Sequence, residues 1–265
     1  MGKAKSKTGD AADNTPIYPE MRGRLALVTG GSSGIGLATA GAFARQGCRV
    51  VIASRHQTNG RAAAESLSKI GEAHYLPVDT ADSQSVAKLF AAIKQQHGKL
   101  DYAFNNGGSG AGGKVATMRE NNWRRTIDGY LTSTFFCLQA ELNAMGREGV
   151  IVNNASVDGL RGYPFPGGAA YSAAKHGVLG LTKSAALEHA KSGPRIVAIC
   201  PGWVATPPVI AYTRSKERAE GVIRQTPRGR IGEPDEIASA VLWLCSAGAS
   251  FAVGTVLAID GGYMA

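Results

Sequence analysis

The chain has 265 residues, 44% hydrophobic and 18% charged, which is enough for one large α/β domain or two small ones with a real core. The net charge of +9 suits anionic ligands, but no Lys/Arg block is interleaved with aromatics, which excludes nucleic-acid binding as the main function. The 35 glycines follow no fixed period, so collagen-like and disordered readings of the whole chain fail.

Residues 1–22 are polar, proline-containing and aperiodic, and read as a disordered tail before a single domain over 23–265. The apolar run 25–28 stops at Thr29-Gly-Gly-Ser32-Ser33-Gly34-Ile35-Gly36, and a helical stretch over 37–46 follows. Strands are predicted over 49–53 and 73–78, with helices over 60–70 and 82–97. The second of these helices puts Val86, Leu89, Phe90 and Ile93 on one face. Further strands are expected at 100–104, 150–153, 195–200 and 255–259, with long helices at about 121–146 and 171–191. Apolar strands alternating with helices require a parallel sheet covered on both faces, seven strands in one doubly wound unit.

Gly30, Gly34 and Gly36, with Ser32, Ser33 and Ile35 between them, join the first strand to the first helix. That arrangement permits a tight turn and presents the free N–H groups and partial positive charge of a helix N-terminus to a pyrophosphate. In such a fold an acidic residue at the end of the second strand binds the ribose 2′-hydroxyl of NAD. Here the position is Ser54, followed by Arg55. An uncharged residue does not repel a 2′-phosphate, and a guanidinium pairs with one, so NADP(H) is expected over NAD(H).

Tyr171 and Lys175 are four residues apart and share one helical face. At a pKa near 10, only roughly one tyrosine in a thousand is phenolate at neutral pH. A cation within about 4–6 Å favours the charged form. Tyr171 is thus a candidate general acid/base, with Lys175 as its tuning charge.

Taken together, these motifs resemble those of a short-chain dehydrogenase/reductase of the compact single-domain subclass, over residues 24–265. The matching stretches are the glycine turn at 29–36, Asn105-Asn-Gly107-Gly after the fourth strand, Ser156 ahead of Tyr171-x-x-x-Lys175, and Pro201-Gly202 with Thr206 beyond. Arg230-Ile-Gly-Glu-Pro234 and Asp260-Gly-Gly262 complete the set. The resemblance implies a Rossmann-like fold and hydride chemistry between a ketone and a secondary alcohol. It also implies that Ser156 donates a hydrogen bond to the substrate oxygen, Tyr171 exchanges its proton, and Lys175 holds the nicotinamide ribose. Asp79 would sit by the adenine and Asn105 would shape the cofactor pocket, with Gly107 beside it. Thr206 would meet the nicotinamide carboxamide, and Pro201, Gly202 and Val204 would bind the cofactor. A homo-oligomer, tetramer or dimer, is implied as well.

The chain departs from the family pattern in three places. Gly107 takes a position commonly held by alanine, and Ser156 and Tyr171 are fifteen apart, about two more than usual. Tyr130, in Tyr130-Leu-Thr-Ser-Thr-Phe135, occupies the position of the family's catalytic asparagine.

Specificity is expected from the loop 157–169 and the segment after Pro201. These supply Asp158, Arg161, Tyr163, Phe165, Trp203 and Val209, walls suited to an apolar or ring-bearing small molecule. Residues 207–229 read as a mobile lid. The alternatives are a 3-oxoacyl-thioester reductase, or a dinucleotide-binding sensor or scaffold with little turnover. Four separated cysteines indicate neither disulfides nor zinc, and fit a reducing cytoplasm. The five histidines form no pair at ligand spacing, so no metal is expected. No apolar run is long enough to span a membrane, and no membrane partner is expected.

Overall fold

The computed structural model describes residues 16–265. Seven strands form one parallel sheet: β1 (Leu25–Thr29), β2 (Arg49–Ser54), β3 (Ala73–Pro77), β4 (Leu100–Asn105), β5 (Met145–Asn154), β6 (Arg195–Pro201) and β7 (Val256–Ile259). Their spatial order is β3-β2-β1-β4-β5-β6-β7. The order reverses between β1 and β4, which pair directly from Ala26 with Tyr102 to Thr29 with Asn105. A crevice at the carboxyl ends of these two strands follows from that reversal.

The nine helices described are α1 (Gly34–Arg45), α2 (Gln57–Leu67), α3 (Ser83–Gln96), α4 (Glu120–Ile127), α5 (Ser133–Ala144), α6 (Ala169–His189), α7 (Pro207–Tyr212), α8 (Lys216–Arg224) and α9 (Pro234–Cys245). Alternate residues of each buried strand point to opposite faces. Ala26 and Val28 of β1 join a core with Phe43 of α1, Leu67 of α2 and Val241 of α9. Leu25 and Leu27 join the opposite core with Leu89 of α3, Leu138 of α5 and Ala186 of α6. Both faces are apolar because both are covered, which is why the strands read as continuous hydrophobic runs.

Several expected boundaries move. The long helix expected at 121–146 is interrupted at Asp128–Thr132 by a wider turn, in which the Ser133 N–H donates to the Asp128 carbonyl. Its last residues instead begin β5, which extends to Met145. The stretch expected to be a lid folds into α7 and α8, and Val222 and Thr226 are buried. Helix α9 has no counterpart among the predicted elements, although Pro234 at its first turn and Glu233 and Glu236 in a reciprocal capping box are legible signals.

The expected tail also divides. Residues 1–15 lie outside the described residues. Residues 16–22 belong to the fold: Pro19–Met21 make a short 3₁₀ turn, and the Met21 side chain is fully buried. The Gln46 side chain holds this segment, accepting from the Tyr18 N–H at 2.7 Å and donating to the Pro16 carbonyl at 3.0 Å. One methionine among polar residues carries no periodicity, so only the tertiary contact reveals it. Met21→Ala is expected to lower stability by about 2–5 kcal/mol, the range for truncating a buried methionine. The denaturant midpoint reads this, and an unchanged midpoint would return the segment to a tail.

Candidate active site

The turn between β1 and α1 is built by exclusion of side chains. Gly30 has φ +65°, and a Cβ there would lie 2.8 Å from the Gly107 Cα. A Cβ on Gly36 would run into the Gly30 carbonyl. The Thr29 hydroxyl then accepts the N–H groups of both Asn106 and Gly107 at 3.1 Å. Asn106 donates to the Thr29 and Gly30 carbonyls at 3.3 Å and accepts from Asn154 at 2.8 Å. The N-terminus of α1 carries no side-chain cap and no acidic residue in its first turn, so its free N–H groups face the crevice unopposed.

An elongated groove of 380 Å³ runs from this turn. It is lined by Gly30, Ser32, Ser33, Gly34 and Ile35, then by Ser54 and Arg55, and at the far end by Lys175, Pro201, Gly202, Val204 and Thr206. The Ser54 hydroxyl is buried with no hydrogen-bond partner, next to the exposed Arg55. A bare helix N-terminus, a cradle that a Cβ would fill and an orphaned hydroxyl beside a guanidinium fit a dinucleotide.

Three expected members of this groove are placed elsewhere, the first being Gly36, which is buried in the first turn of α1 against the Gly30 carbonyl. Asn105 is buried beneath it, where its amide donates to Glu141 at 2.8 Å and to Asn153 at 3.0 Å. The adjacent Asn106 forms the wall instead, because successive residues of a strand end point to opposite faces. Asp79 turns into a side cavity with Arg55 and Arg125, its carboxylate accepting the Ala81 N–H at 3.1 Å, while Val78 and Thr80 line the groove.

A second cavity, of 800 Å³, opens beside the groove. Ser156, Tyr171, Tyr130, Gly202, Thr206, Pro208 and Val209 border both. Its other walls include Val157, Asp158, Tyr163, Trp203 and Tyr263. Arg161 and Phe165, expected here, stand behind these walls. The Arg161 guanidinium lies over the Tyr263 ring at 4.9 Å, a cation–π contact. Phe165 packs on Tyr163 and Trp203, with ring centroids 5.8 and 6.3 Å apart. Tyr263 was missed because it follows the last strand and returns to the cavity only through the tertiary fold.

The proton-carrying groups meet where the two cavities join. Ser156 is the N-terminal cap of a short turn: its hydroxyl accepts the Asp158 N–H at 3.1 Å and donates to the Asp158 carboxylate at 3.3 Å. Lys175 is buried and donates to the Asn154 carbonyl at 2.6 Å. Its ammonium lies 4.9 Å from the Tyr130 ring centre and 5.6 Å from that of Tyr171. The two tyrosine rings meet edge to face at 5.0 Å. Tyr130 fits because Gly108 and Gly110 leave room: a Cβ on either would collide with its ring.

Lys175 was expected to depress the Tyr171 pKa, but in the free chain burial pushes that phenol well above its ordinary value. Tyr130 adds to the rise, and the Ser156 hydroxyl opposes it. Burial also lowers Lys175 to about 8, which weakens the charge it can offer. Burial likewise raises Asp158, against the Ser156 hydrogen bond.

Residues 30–264 match the family model described as enoyl-(acyl carrier protein) reductase. The chain is 38% identical to an A-factor type gamma-butyrolactone 1′-reductase (1S-forming) of Streptomyces virginiae, over 91% of this chain and 95% of that protein. It is also 38% identical to a 2,5-dichloro-2,5-cyclohexadiene-1,4-diol dehydrogenase of Sphingobium indicum, over 93% of this chain and 99% of that one. A solved structure of a single-residue variant of the actinorhodin polyketide ketoreductase with NADPH superposes with a TM-score of 0.86 at 32% identity, covering 94% of this chain and 99% of that one. The chain belongs to the short-chain dehydrogenase/reductase family. It is an oxidoreductase of the alcohol–carbonyl type that uses a nicotinamide dinucleotide.

Beneath the site, Glu141 is fully buried, and desolvation raises its pKa from 4.5 to about 8, with the Asn105 hydrogen bond opposing. Between those values the native chain keeps a proton that the unfolded chain has released. Stability therefore falls as pH rises through that window. Glu141→Gln cannot ionise, so its melting temperature is expected to fall less than the parent's between about pH 5 and 8. Parallel slopes in thermal melts would show that Glu141 ionises normally in the native state.

Proposed function

We propose that the chain is an NADP(H)-dependent oxidoreductase that interconverts an apolar or ring-bearing ketone and its secondary alcohol. The observation that carries this reading is the meeting of a dinucleotide-shaped groove and an aromatic-walled cavity at Ser156 and Tyr171. When bound, the nicotinamide dinucleotide supplies the hydride in reduction and accepts it in oxidation. Ser156, its hydroxyl oxygen held by the Asp158 N–H, turns its one proton from the Asp158 carboxylate to donate a hydrogen bond to the substrate oxygen. Tyr171 gives that oxygen a proton in reduction and removes one in oxidation. Lys175, anchored to the Asn154 carbonyl, holds a positive charge beside the phenol as it ionises.

The stacked Trp203 and Tyr212 rings, 5.9 Å apart, brace a wall that suits a flat or cyclic substrate and supports that reading over a flexible thioester. The two relatives named above both take cyclic compounds, a butyrolactone and a cyclohexadiene diol. Arg55 beside the orphaned Ser54 hydroxyl supports NADP(H). The exposed Trp243, Phe251 and Val253 support a homo-oligomer, and four free buried thiols fit a reducing cytoplasm. Among the described residues no helix is long and apolar enough to cross a membrane.

Loss of the reduced-nicotinamide absorbance, followed with NADPH and NADH in parallel over cyclic and aromatic ketones and one 3-oxoacyl thioester, tests the whole reading. Turnover of cyclic ketones with NADPH is expected; binding of NADPH without turnover of any substrate refutes it. Tyr171→Phe should lower kcat by roughly 10²–10⁴, and unchanged kcat would remove Tyr171 from the chemistry. Arg55→Ala should raise the KM for NADPH roughly ten- to a hundredfold, the loss of about 1.5–3 kcal/mol in a charged hydrogen bond. An equal rise for NADH would mean that Arg55 does not read the 2′-phosphate.

A further inference from the structure

The outer edge of the sheet, away from both cavities, brings together Glu72, His74 and His97. Glu72 immediately precedes β3, and its carbonyl accepts the Val50 N–H at 2.9 Å, which ties it to β2. His74 pairs with Val51 in the β2–β3 ladder. Two residues apart on an extended chain, Glu72 and His74 project from the same face of the edge strand. His97 caps the end of α3, its N–H donating to the Ile93 carbonyl at 2.8 Å, and the helix end delivers its ring to that face.

The His74 and His97 ring centres are 4.6 Å apart, and His74 Nε2 stands 3.0 Å from a Glu72 carboxylate oxygen. One ligand atom from each of the three residues falls within 4.8 Å of the others. In a tetrahedral zinc site with bonds of about 2.0–2.2 Å, ligand atoms lie roughly 3.4 Å apart. Rotations of the two exposed side chains would close that difference, since the three backbones are already fixed by the ladder and the helix end. A second observation concerns the same ring: His97 is partly buried, and its Nε2 has no hydrogen-bond partner. A secluded, unpaired imidazole nitrogen requires an explanation.

We propose that Glu72, His74 and His97 bind a divalent transition-metal ion, with a fourth position left to water. Two imidazoles and one carboxylate are a borderline nitrogen–oxygen donor set, suited to zinc, nickel or copper rather than to magnesium or calcium. The carboxylate offsets part of the ion's charge, which matters because the nearby Arg49 guanidinium donates to the His97 carbonyl at 3.3 Å. The ion would tie the amino end of the edge strand to the end of α3. The cofactor groove touches the chain beyond the opposite end of β3, at Val78 and Thr80, so this site is separate from the hydride chemistry.

Zinc titrated calorimetrically into the full, untagged, chelator-stripped protein tests the proposal. One equivalent is expected to bind and to raise the melting temperature, because the ion binds the folded chain. His74→Ala and His97→Ala should each weaken zinc binding by more than about tenfold, since loss of even an outer partner costs roughly 10–100-fold in affinity. Glu72→Gln should weaken it less. NADPH-dependent turnover of each variant reports that it is folded. Should His97→Ala fail to fold, His74→Ala and Glu72→Gln, both at exposed side chains, decide the matter. Absence of zinc binding by the parent protein overturns the site. So does a folded histidine variant that binds zinc as the parent does, which would place the ion on other residues.

Discussion

Gly30 and Gly107 pass each other with no room for a side chain on the first, and the site depends on that crossing. It lies where the strand order reverses, so the loop leaving β1 and the loop leaving β4 must share one floor before they diverge. The Thr29 hydroxyl and the Asn106 amide join β1, β4 and β5 across that floor. With the floor closed, α1 starts where its uncapped N-terminus faces the crevice. A larger residue at 30 or 36 would separate the loops and turn the helix end away from the groove.

Desolvation governs the electrostatics of the site. Tyr171 and Lys175 are both moved toward their neutral forms by burial, and the coulombic attraction expected between them does not reverse this in the free chain. Burial lowers Lys175 to about 8, with the Asn154 carbonyl as its hydrogen-bond acceptor. The seat under its ammonium is an aromatic face, that of Tyr130, in the wider turn between α4 and α5. An asparagine would offer an amide there; the tyrosine offers a quadrupole and fills space that Gly108 and Gly110 leave open.

The substrate cavity is held by a second layer. Arg161 covers the Tyr263 ring from behind, and Phe165 braces Tyr163 and Trp203, so residues expected to touch a ligand instead fix those that line the cavity. Two short helices, α7 and α8, make up the stretch expected to be a lid, and α7 brings Pro208 and Val209 to the boundary between cavity and groove. The cluster of Glu72, His74 and His97 at the sheet edge is independent of this layer, and it joins the start of β3 to the end of α3, more than twenty positions apart.

Much of this was legible in the sequence because its signals are local. The strands read as apolar runs, the glycine turn is contiguous, and Tyr171 and Lys175 sit four apart on one helix. Spacing of that kind is set by backbone geometry alone and survives without knowledge of the fold. What only the tertiary structure decided involves residues brought together from a distance. Asn105 faces Glu141 rather than the groove, Met21 is core rather than tail, and Tyr263 returns from beyond the last strand to the cavity. His74 and His97 show no ligand spacing in the chain, yet the β2–β3 ladder and the end of α3 set them side by side. The sequence determined which elements form and where the reactive groups lie along them; packing decided which way each side chain faces and which charges lose their water. Burial is a property of the assembled layers and of no single stretch, and burial set every pKa that matters at this site.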